Sequence, residues 1–330
     1  MEIIHTENLT KVYKGGLKAV DNLNLSIDEG QIFGLLGPNG AGKTTTIKML
    51  TTQIKPTSGN ATVAGINIIT ESLAVRKVIG VVPQDLTMDE DLRGIENLLM
   101  VARFYDIPRG ESLRRAKELL DLVDLTEFAN KNVGTYSGGM RKRLELVAGL
   151  INEPKVLFLD EPTIGLDVQT RTRMWEYIRE VKKKLNITII LTSHYLEELD
   201  ELADTISIMD YGKVKVTGTP ESLKSALKGD IIILGINGNE EAEKIKKFPD
   251  AISVQLVDEK TVRVKVASVD SELPGFFEFL LANGVKPQTM SVERPSLDQV
   301  FMEYTGRRIR DSEGGEDVMK QRINMRRMRA

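Results

Sequence analysis

A glycine-rich stretch, Gly37-Pro-Asn-Gly-Ala-Gly-Lys-Thr-Thr45, constrains the fold of this chain more than any other feature. It matches the pattern G-x-x-x-x-G-K-[ST] without a gap. The apolar residues 31–36 before it are typical of a short buried strand, and residues 44–50 after it are typical of a helix. A chance glycine turn is the alternative, but the flanking strand and helix favour a phosphate-binding loop.

Each residue type in this loop has a physical task at a phosphate group. Its glycines let the backbone turn tightly, so that N–H groups reach phosphate oxygens beside the positive end of the helix dipole. Lys43 supplies a mobile charge for the β- and γ-phosphates, and the Thr44 hydroxyl is a donor of the kind that Mg²⁺ prefers. The predicted nucleotide-binding residues are Gly37, Pro38, Asn39, Gly40, Ala41, Gly42, Lys43, Thr44 and Thr45.

Length and composition limit the remaining possibilities. The chain has 330 residues, which is enough for two domains, and its formal net charge of −3 indicates no general attraction to nucleic acid. It contains no cysteine, which excludes disulfides and fits a reducing compartment. We expect no signal peptide, and no apolar run approaches the roughly 18 residues that cross a bilayer. If this protein works at a membrane, other chains must cross it.

The first part of the chain has the pattern of an α/β core, predicted over residues 1–226. The apolar runs 156–159 and 187–191 are typical of strands inside a parallel sheet that helices cover on both faces. Strand patterns disappear between residues 85 and 152, where long amphipathic segments predict a helical insertion. The core is expected to close with a strand at 206–209 and a turn at 210–213.

A second pattern, over residues 227–306, predicts a small α+β domain. Its strands and helices follow the order βαββαβ, which is the arrangement of ferredoxin-like domains, and a final helix begins after the N-cap Ser296. It contains no candidate nucleophile, metal cluster or glycine loop, so dimerisation, packing or regulation is its expected role. The predicted elements are strands at 231–236, 252–257, 262–266 and 288–292 and helices at 240–247, 272–282 and 296–305.

The last segment, residues 307–330, ends in a basic run. A solvated, frayed terminus is one interpretation, and contact with anionic lipid or an acidic partner surface is the other. The basic residues are Lys320, Arg322, Arg326, Arg327 and Arg329.

Two carboxylates follow the apolar strand at residues 156–159. Successive strand residues point to opposite faces, so Asp160 and Glu161 need not share a task. Asp160 is placed to hold Mg²⁺ through water, and Glu161 to polarise the attacking water. A strand end followed by an acidic turn is the alternative.

Two further polar residues follow predicted strands of the same sheet. His194 comes after the strand at 187–191, and Gln84 comes after a strand at 79–82. Because neighbouring parallel strands end on the same side of a sheet, His194 is expected near the γ-phosphate, as a donor or as the residue that orients water. Gln84 would contact Mg²⁺ or the attacking water. The alternative for His194 is an ordinary residue at a helix N-terminus, and His5 is assigned no role.

A second glycine-rich helix start lies at Ser137-Gly138-Gly139. Ser137 can cap the helix, and the glycines leave bare N–H groups that could bind phosphate. One nucleotide rarely needs two such helix ends from one chain, so a second copy would supply the second one. An ordinary N-capped helix is the alternative.

Together these pieces strongly resemble the ATP-binding subunit of ABC (ATP-binding cassette) transporters over roughly residues 2 to 220. They follow the family's order: Walker A at 37–45, Q-loop at Gln84, signature at 137–139, Walker B at 157–161, D-loop at 165–167 and H-loop at His194. Tyr13 resembles the aromatic residue that stacks on adenine, with a surface strand tyrosine as the alternative. Tyr136 and Met140 depart from the common signature, which has Leu and Gln there.

The resemblance narrows further at the end of the chain. The stretch 294–301, with Tyr304-Thr-Gly306, is similar to the end of the daunorubicin-resistance-type exporter subunits, which carry an accessory domain. That subfamily also has similar variants of the signature.

The resemblance implies a P-loop NTPase fold, with a RecA-like core and a helical subdomain at about 85–152. It implies a head-to-tail homodimer in which ATP and Mg²⁺ lie between Lys43 of one subunit and Ser137 of the other. Thr44, Gln84 and Asp160 would hold Mg²⁺, while Glu161 activates water and His194 contacts the γ-phosphate. This subunit would lie at the cytoplasmic face of the membrane and would drive export of a cargo through a separate polytopic permease. The alternatives are a soluble ABC ATPase acting on nucleic acid or ribosomes and a subunit that binds ATP without hydrolysing it.

Overall fold

The computed structural model describes residues 1–227 and 229–307. The predicted basic segment, residues 307–330, lies outside these residues except for Arg307. The described chain divides into two compact units, one formed by Met1–Pro220 with the residues from Tyr304 onward, and the other by Glu221–Glu303. The sequence-based boundaries fall nearby, after residues 226 and 306.

The strands alternate with helices along much of the chain. In chain order the strands are β1 (Glu2–Val12), β2 (Lys18–Asp28), β3 (Ile32–Leu36), β4 (Ser58–Val63), β5 (Ile66–Asn67), β6 (Ile79–Val82), β7 (Val156–Asp160), β8 (Thr188–Ser193), β9 (Thr205–Asp210), β10 (Lys213–Gly218), β11 (Asp230–Gly235), β12 (Ala251–Asp258), β13 (Thr261–Val266) and β14 (Thr289–Glu293). The α-helices are α1 (Lys43–Leu50), α2 (Ser72–Val78), α3 (Gly94–Phe104), α4 (Arg109–Leu122), α5 (Gly138–Ala148), α6 (Val168–Leu185), α7 (Leu196–Leu202), α8 (Pro220–Ser225), α9 (Asn239–Ile245), α10 (Val269–Ala282) and α11 (Leu297–Thr305).

A six-stranded sheet in the order β10-β9-β3-β8-β7-β6 forms the centre of the first unit. Strands β9, β3, β8, β7 and β6 are parallel, and only β10 is antiparallel to its neighbour. Every residue of β3, β7 and β8 is buried, as expected for apolar strands covered on both faces. The predicted α/β core with a parallel sheet is therefore confirmed.

A second sheet, antiparallel and in the order β2-β1-β4-β5, occupies the N-terminal part of the first unit. The sequence interpretation did not predict this sheet. The pattern was present in β2, where buried Leu23, Leu25 and Ile27 alternate with polar residues. Such period-two alternation is typical of a strand with one face toward the core.

Helices α3, α4 and α5 lie between β6 and β7, in the part of the chain where amphipathic segments were expected. Their apolar faces are buried, as Ala116, Leu119 and Leu120 of α4 illustrate. Asn97 of α3 is fully buried, and its side chain donates to the carbonyl of Asp89 and accepts from the amide of Asp89, both at 2.9 Å. This amide therefore fixes the path of the chain that leads into α3.

The second unit contains the elements β11, α9, β12, β13, α10 and β14 in the order expected from the sequence. Its strands form an antiparallel sheet in the order β12-β13-β11-β14. Inward residues such as Ile232, Leu234 and Val264 pack with Phe276 and Leu280 of α10 to form a separate core. The predicted N-cap of the last helix is present, because the amide of Gln299 donates to Ser296 Oγ at 3.3 Å.

Across residues 1–227 and 229–307, the length and apolar content that a bilayer span requires are not combined in any helix.

Candidate nucleotide-binding site

The glycine loop, the two carboxylates and His194 lie at one edge of the parallel sheet. The loop 37–42 follows β3, Glu161 follows β7, and His194 follows β8. Because β8 pairs with both β3 and β7, its end lies between the glycine loop and the two carboxylates. The register places Thr192 beside Asp160, so the parallel arrangement brings these groups together as predicted.

Neighbouring backbone lies so close to the glycine loop that side chains would not fit at two of its positions. Gly42 has φ +104°, in the left-handed region, and a Cβ on it would lie 2.4 Å from the carbonyl oxygen of Ala19. A Cβ on Gly37 would lie 2.5 Å from the carbonyl oxygen of Met209. Since the first-turn amides of α1 have no partner within the helix, they are suited to bind phosphate oxygens.

Lys43 is buried at the start of α1, with 4% of its surface exposed. Its ammonium donates to the carbonyl of Gly37 at 2.5 Å and to that of Pro38 at 3.2 Å. It also lies 3.7 Å from Glu161 Oε1. The positive charge is therefore held inside the loop, between the glycine backbone and the carboxylate.

Thr44 and Asp160 form the oxygen pair expected for a magnesium ion. The Thr44 hydroxyl donates to Asp160 Oδ1 at 3.2 Å, and Asp160 is buried. Among the described residues, no group of three or more His, Cys, Asp or Glu could hold a metal by itself.

Glu161 has an unusual backbone and a charged environment. Its φ of +51° lies in the left-handed region, which is rare for a non-glycine residue and is found preferentially at functional sites. Its Oε2 lies 3.3 Å from His194 Nδ1, and Lys43 approaches its other oxygen. Burial disfavours the charged carboxylate, but His194 and Lys43 outweigh it and hold the pKa of Glu161 below its usual value.

Thr192 is a site residue that the sequence analysis did not identify. Its buried hydroxyl donates to Asp160 Oδ1 at 2.6 Å and accepts from the amide of Glu161 at 3.0 Å. It therefore joins the end of β8 to the Asp160 carboxylate and to the backbone of Glu161. The available signal was a polar residue in an apolar strand, two positions before His194.

Gln84 and Tyr13 lie outside this cluster of direct contacts. The Gln84 side chain is exposed and makes no hydrogen bond with Thr44 or Asp160, while its carbonyl accepts from Lys142 Nζ at 2.8 Å. Tyr13 is 38% exposed, and its hydroxyl lies 3.5 Å from Thr45 Oγ1. The structure thus places an accessible aromatic ring beside the glycine-loop helix.

The second glycine-rich helix start forms a separate, exposed surface. Ser137 caps α5 by accepting from the amide of Met140 at 3.3 Å, and a Cβ on Gly138 would meet nothing within 4 Å. A Cβ on Gly139 would lie 2.5 Å from Thr170 Cγ2 of α6, so this glycine permits close helix packing. The pocket beside Ser137 is lined by residues of α5 and α6, and no residue of the glycine loop lines it.

The divergent signature residue and the D-loop have local structural tasks. Tyr136 is buried and donates to the carbonyl of Phe128 at 2.7 Å, so it packs in the core of the helical part. Asp167 caps α6, since its carboxylate accepts from the amide and hydroxyl of Thr170 at 3.0 and 2.7 Å. Gly165 has φ +77°, which allows the turn before this cap.

The fold and this site are those of an ATP-binding cassette, and comparison with known proteins gives the same result. A profile described as "ABC transporter" matches residues 20–164. A second profile, "ATP-binding protein DrrA1-3-like, C-terminal domain", matches residues 218–305. The chain therefore belongs to the family of ABC transporter ATP-binding proteins of the DrrA type.

Relatives resemble the chain over nearly its whole length. The daunorubicin resistance ATP-binding protein DrrA2 of Streptomyces coeruleorubidus is 38% identical over 317 residues, 95% of this chain and 98% of that protein. The linearmycin resistance ATP-binding protein LnrL of Bacillus subtilis is 36% identical over 313 residues, 94% of this chain and 100% of that protein.

A solved structure agrees over the cassette. The ATP-binding cassette MJ0796, in a dimeric post-hydrolysis state bound to ADP and Pi, is similar with a TM-score of 0.60 and 27% identity. The match covers 66% of this chain and 98% of that one. The chain is accordingly an ATP-binding subunit of an ABC exporter, whose ATP hydrolysis drives transport, and ABC cassettes of this kind dimerise and pair with membrane subunits.

Proposed function

We propose that two copies of this chain assemble head to tail around two MgATP at the cytoplasmic face of the membrane. There they drive export through a separate polytopic permease. The observation that carries this proposal is the separation of two phosphate-binding helix starts. The glycine loop with Lys43 lies at the sheet edge, whereas Ser137 lies on an exposed surface of α5. A second copy brings its own Ser137 surface to the nucleotide that the first copy holds.

Glu161 acts as the general base in this proposal. The γ-phosphorus of bound ATP would be the electrophile, and a magnesium ion would neutralise charge on the phosphate chain. Lys43, whose ammonium lies 3.7 Å from Glu161 Oε1, would also contact the phosphates. The Glu161 carboxylate would accept the proton of the attacking water. His194, 3.3 Å from the other oxygen, orients the carboxylate.

The other ligand contacts follow from the same geometry. Thr44 and Asp160 would hold Mg²⁺, with Thr192 fixing the orientation of the Asp160 carboxylate. Gln84, whose side chain is exposed, would contribute its amide oxygen to the same ion. The exposed ring of Tyr13 would stack on adenine, because it lies beside Thr45 at the start of the same helix.

The second unit is proposed to be a ferredoxin-like accessory domain. In that topology the strand order of a βαββαβ unit is 4-1-3-2, which corresponds to the order β14-β11-β13-β12 read from one edge. We infer that the cargo is an antibiotic-like molecule, since the names of two full-length relatives refer to daunorubicin and linearmycin resistance.

Mixing two inactive variants tests the shared site. Ser137→Arg should bind ATP but not hydrolyse it, and Lys43→Ala should not bind ATP. A mixed dimer contains one intact site, built from Lys43 of the first variant and Ser137 of the second. Partial recovery of ATPase activity in the mixture, with none in either variant alone, is expected. Activity of Ser137→Arg alone at the wild-type rate would contradict a site shared between copies.

Capture of the complex from membranes tests the partner. The tagged chain, extracted in mild detergent, is expected to carry a polytopic membrane protein that stimulates its ATPase activity. Ribosomal proteins or nucleic acid in its place would support the alternative of a soluble ABC ATPase.

A further inference from the structure

Two buried charges on α5 have no role in the site described so far. Lys142 and Glu145 are 6% and 2% exposed and lie one turn apart, on the same face of the helix. Lys142 Nζ lies 3.6 Å from Glu145 Oε2, so each charge has an opposite partner. Burying such a pair is costly unless further hydrogen bonds satisfy it.

Those further hydrogen bonds all reach one segment, the Gln84 loop, defined as residues 83–93 between β6 and α3. Lys142 Nζ donates to the carbonyl of Gln84 at 2.8 Å. Glu145 Oε1 accepts from the amide of Thr87 at 2.6 Å and from its hydroxyl at 3.3 Å. The pair therefore hydrogen-bonds the backbone of this loop at two points, Gln84 and Thr87, which lie on either side of Asp85 and Leu86.

Packing does not hold this part of the loop. Residues 84–87 are all exposed, and Leu86 shows 46% of its surface. Burial raises the pKa of Glu145, an effect that the Thr87 and Lys142 contacts oppose. Polar contacts with Lys142 and Glu145 thus hold residues 84–87 to α5, while Arg141 of the same helix pairs with Glu90 farther along the loop.

The same helix begins at the surface offered to the partner copy. Lys142 is five residues after Ser137, a rise of about 8 Å along a rigid helix. We propose that Lys142 and Glu145 are positioning residues that couple the Gln84 loop of each subunit to its Ser137 surface. The inference rests on the proposed function, and it means that nucleotide sensed by Gln84 moves the helix start that completes the partner's site.

A purely structural role makes a different prediction. If the pair only supported folding, its loss would lower ATP binding, dimerisation and hydrolysis together, in proportion to the loss of stability. A coupling role leaves ATP binding by one subunit unchanged, because the glycine loop lies at the start of α1 whereas the pair lies on α5. It lowers only the steps that need both the Gln84 loop and Ser137.

ATP-driven dimerisation of the full chain separates these roles. In the Glu161→Gln background, which holds ATP, Lys142→Met should raise the ATP concentration for half-maximal dimerisation about tenfold, the usual value of one hydrogen bond to a charged group. Lys142→Arg can donate to the same carbonyl, so it should dimerise at close to the parental ATP concentration. Glu145→Gln, which keeps an acceptor for Thr87 but cannot pair with a cation, should shift dimerisation in the same direction. Light scattering after size exclusion reports the dimer.

Arg114→Met is the matched control, because Arg114 pairs with Glu118 at 2.9 Å in the same helical part but on an exposed surface. It should dimerise at the parental ATP concentration. The inference would be overturned if Lys142→Met dimerised at the parental ATP concentration. It would also be overturned if Lys142→Arg, at equal stability, needed as much ATP as Lys142→Met. A parent that never dimerises with ATP would instead refute the proposed function.

A spin label gives a readout that needs no dimer. The chain has no cysteine, so Leu86→Cys can be labelled alone. Its label should become more mobile in Lys142→Met and stay as in the parent in Arg114→Met. Equal mobility in all of them would show that the pair does not hold the loop and would overturn the inference.

Discussion

Replacing Thr192 by valine tests whether its hydroxyl holds the Asp160 carboxylate and the Glu161 backbone between β7 and β8. Valine keeps the branched shape but removes the hydroxyl, which donates to Asp160 Oδ1 at 2.6 Å and accepts from the Glu161 amide at 3.0 Å. One of these bonds involves a charged group and the other does not. At typical values the two together contribute about 2–4 kcal/mol to the free energy of unfolding.

The only tryptophan makes this measurement specific to the first unit. Trp175 lies in α6 and donates to Glu198 at 3.1 Å, so its fluorescence follows unfolding of the unit that contains Thr192. Thr192→Ser is the matched control, since it keeps the hydroxyl and loses one buried methyl group, worth about 1 kcal/mol. In urea titrations, Thr192→Val should lose clearly more stability than Thr192→Ser.

The same variant should also affect magnesium-dependent chemistry. Asp160 keeps its contact with Thr44 but loses the shorter of its two hydrogen bonds, so the carboxylate is less firmly oriented. ATP hydrolysis with Mg²⁺ should fall about tenfold, while ATP binding without metal should not change. A Thr192→Val protein as stable and as active as Thr192→Ser would refute this account of the bridge.

Four other perturbations test the remaining contacts. Lys43→Ala should abolish most ATP affinity in a binding titration, because the buried ammonium in the glycine loop is lost; unchanged affinity would contradict the assignment of the loop. Glu161→Gln should lower turnover by about 10²–10⁴, the usual effect of a positioned general base, and should leave ATP trapped; wild-type turnover would remove Glu161 from that role. Tyr13→Ala should weaken ATP binding while Tyr13→Phe does not, and equal affinities would exclude stacking. The pKa of Glu161 is lowered, so its ionised form stabilises the fold above the ordinary value of 4.5, and this contribution is lost as pH falls through the lowered pKa. The free energies of unfolding of wild type and Glu161→Gln, measured in urea titrations, should therefore converge in that pH range. A constant difference between the two free energies down to about pH 3 would contradict the shift.

The sequence by itself determined the class of fold and the main site residues. The glycine loop requires a strand before it and a helix after it, because its amides bind phosphate only in that arrangement. The carboxylates and His194 follow apolar runs, and parallel strands bring their ends to one edge. Local pattern and topology rules were therefore sufficient to bring Lys43, Asp160, Glu161 and His194 together.

Only the tertiary structure decided how those residues are held. The Thr192 bridge depends on the register between β7 and β8, which no local pattern specifies. The hydrogen bonds of Lys142 and Glu145 with the Gln84 loop join segments 58 residues apart in the sequence. The antiparallel N-terminal sheet was missed for the same reason, because strand pairing is set by contacts between distant segments. Residue type and spacing identify chemical groups, whereas their hydrogen-bond partners depend on which distant backbones the fold places side by side.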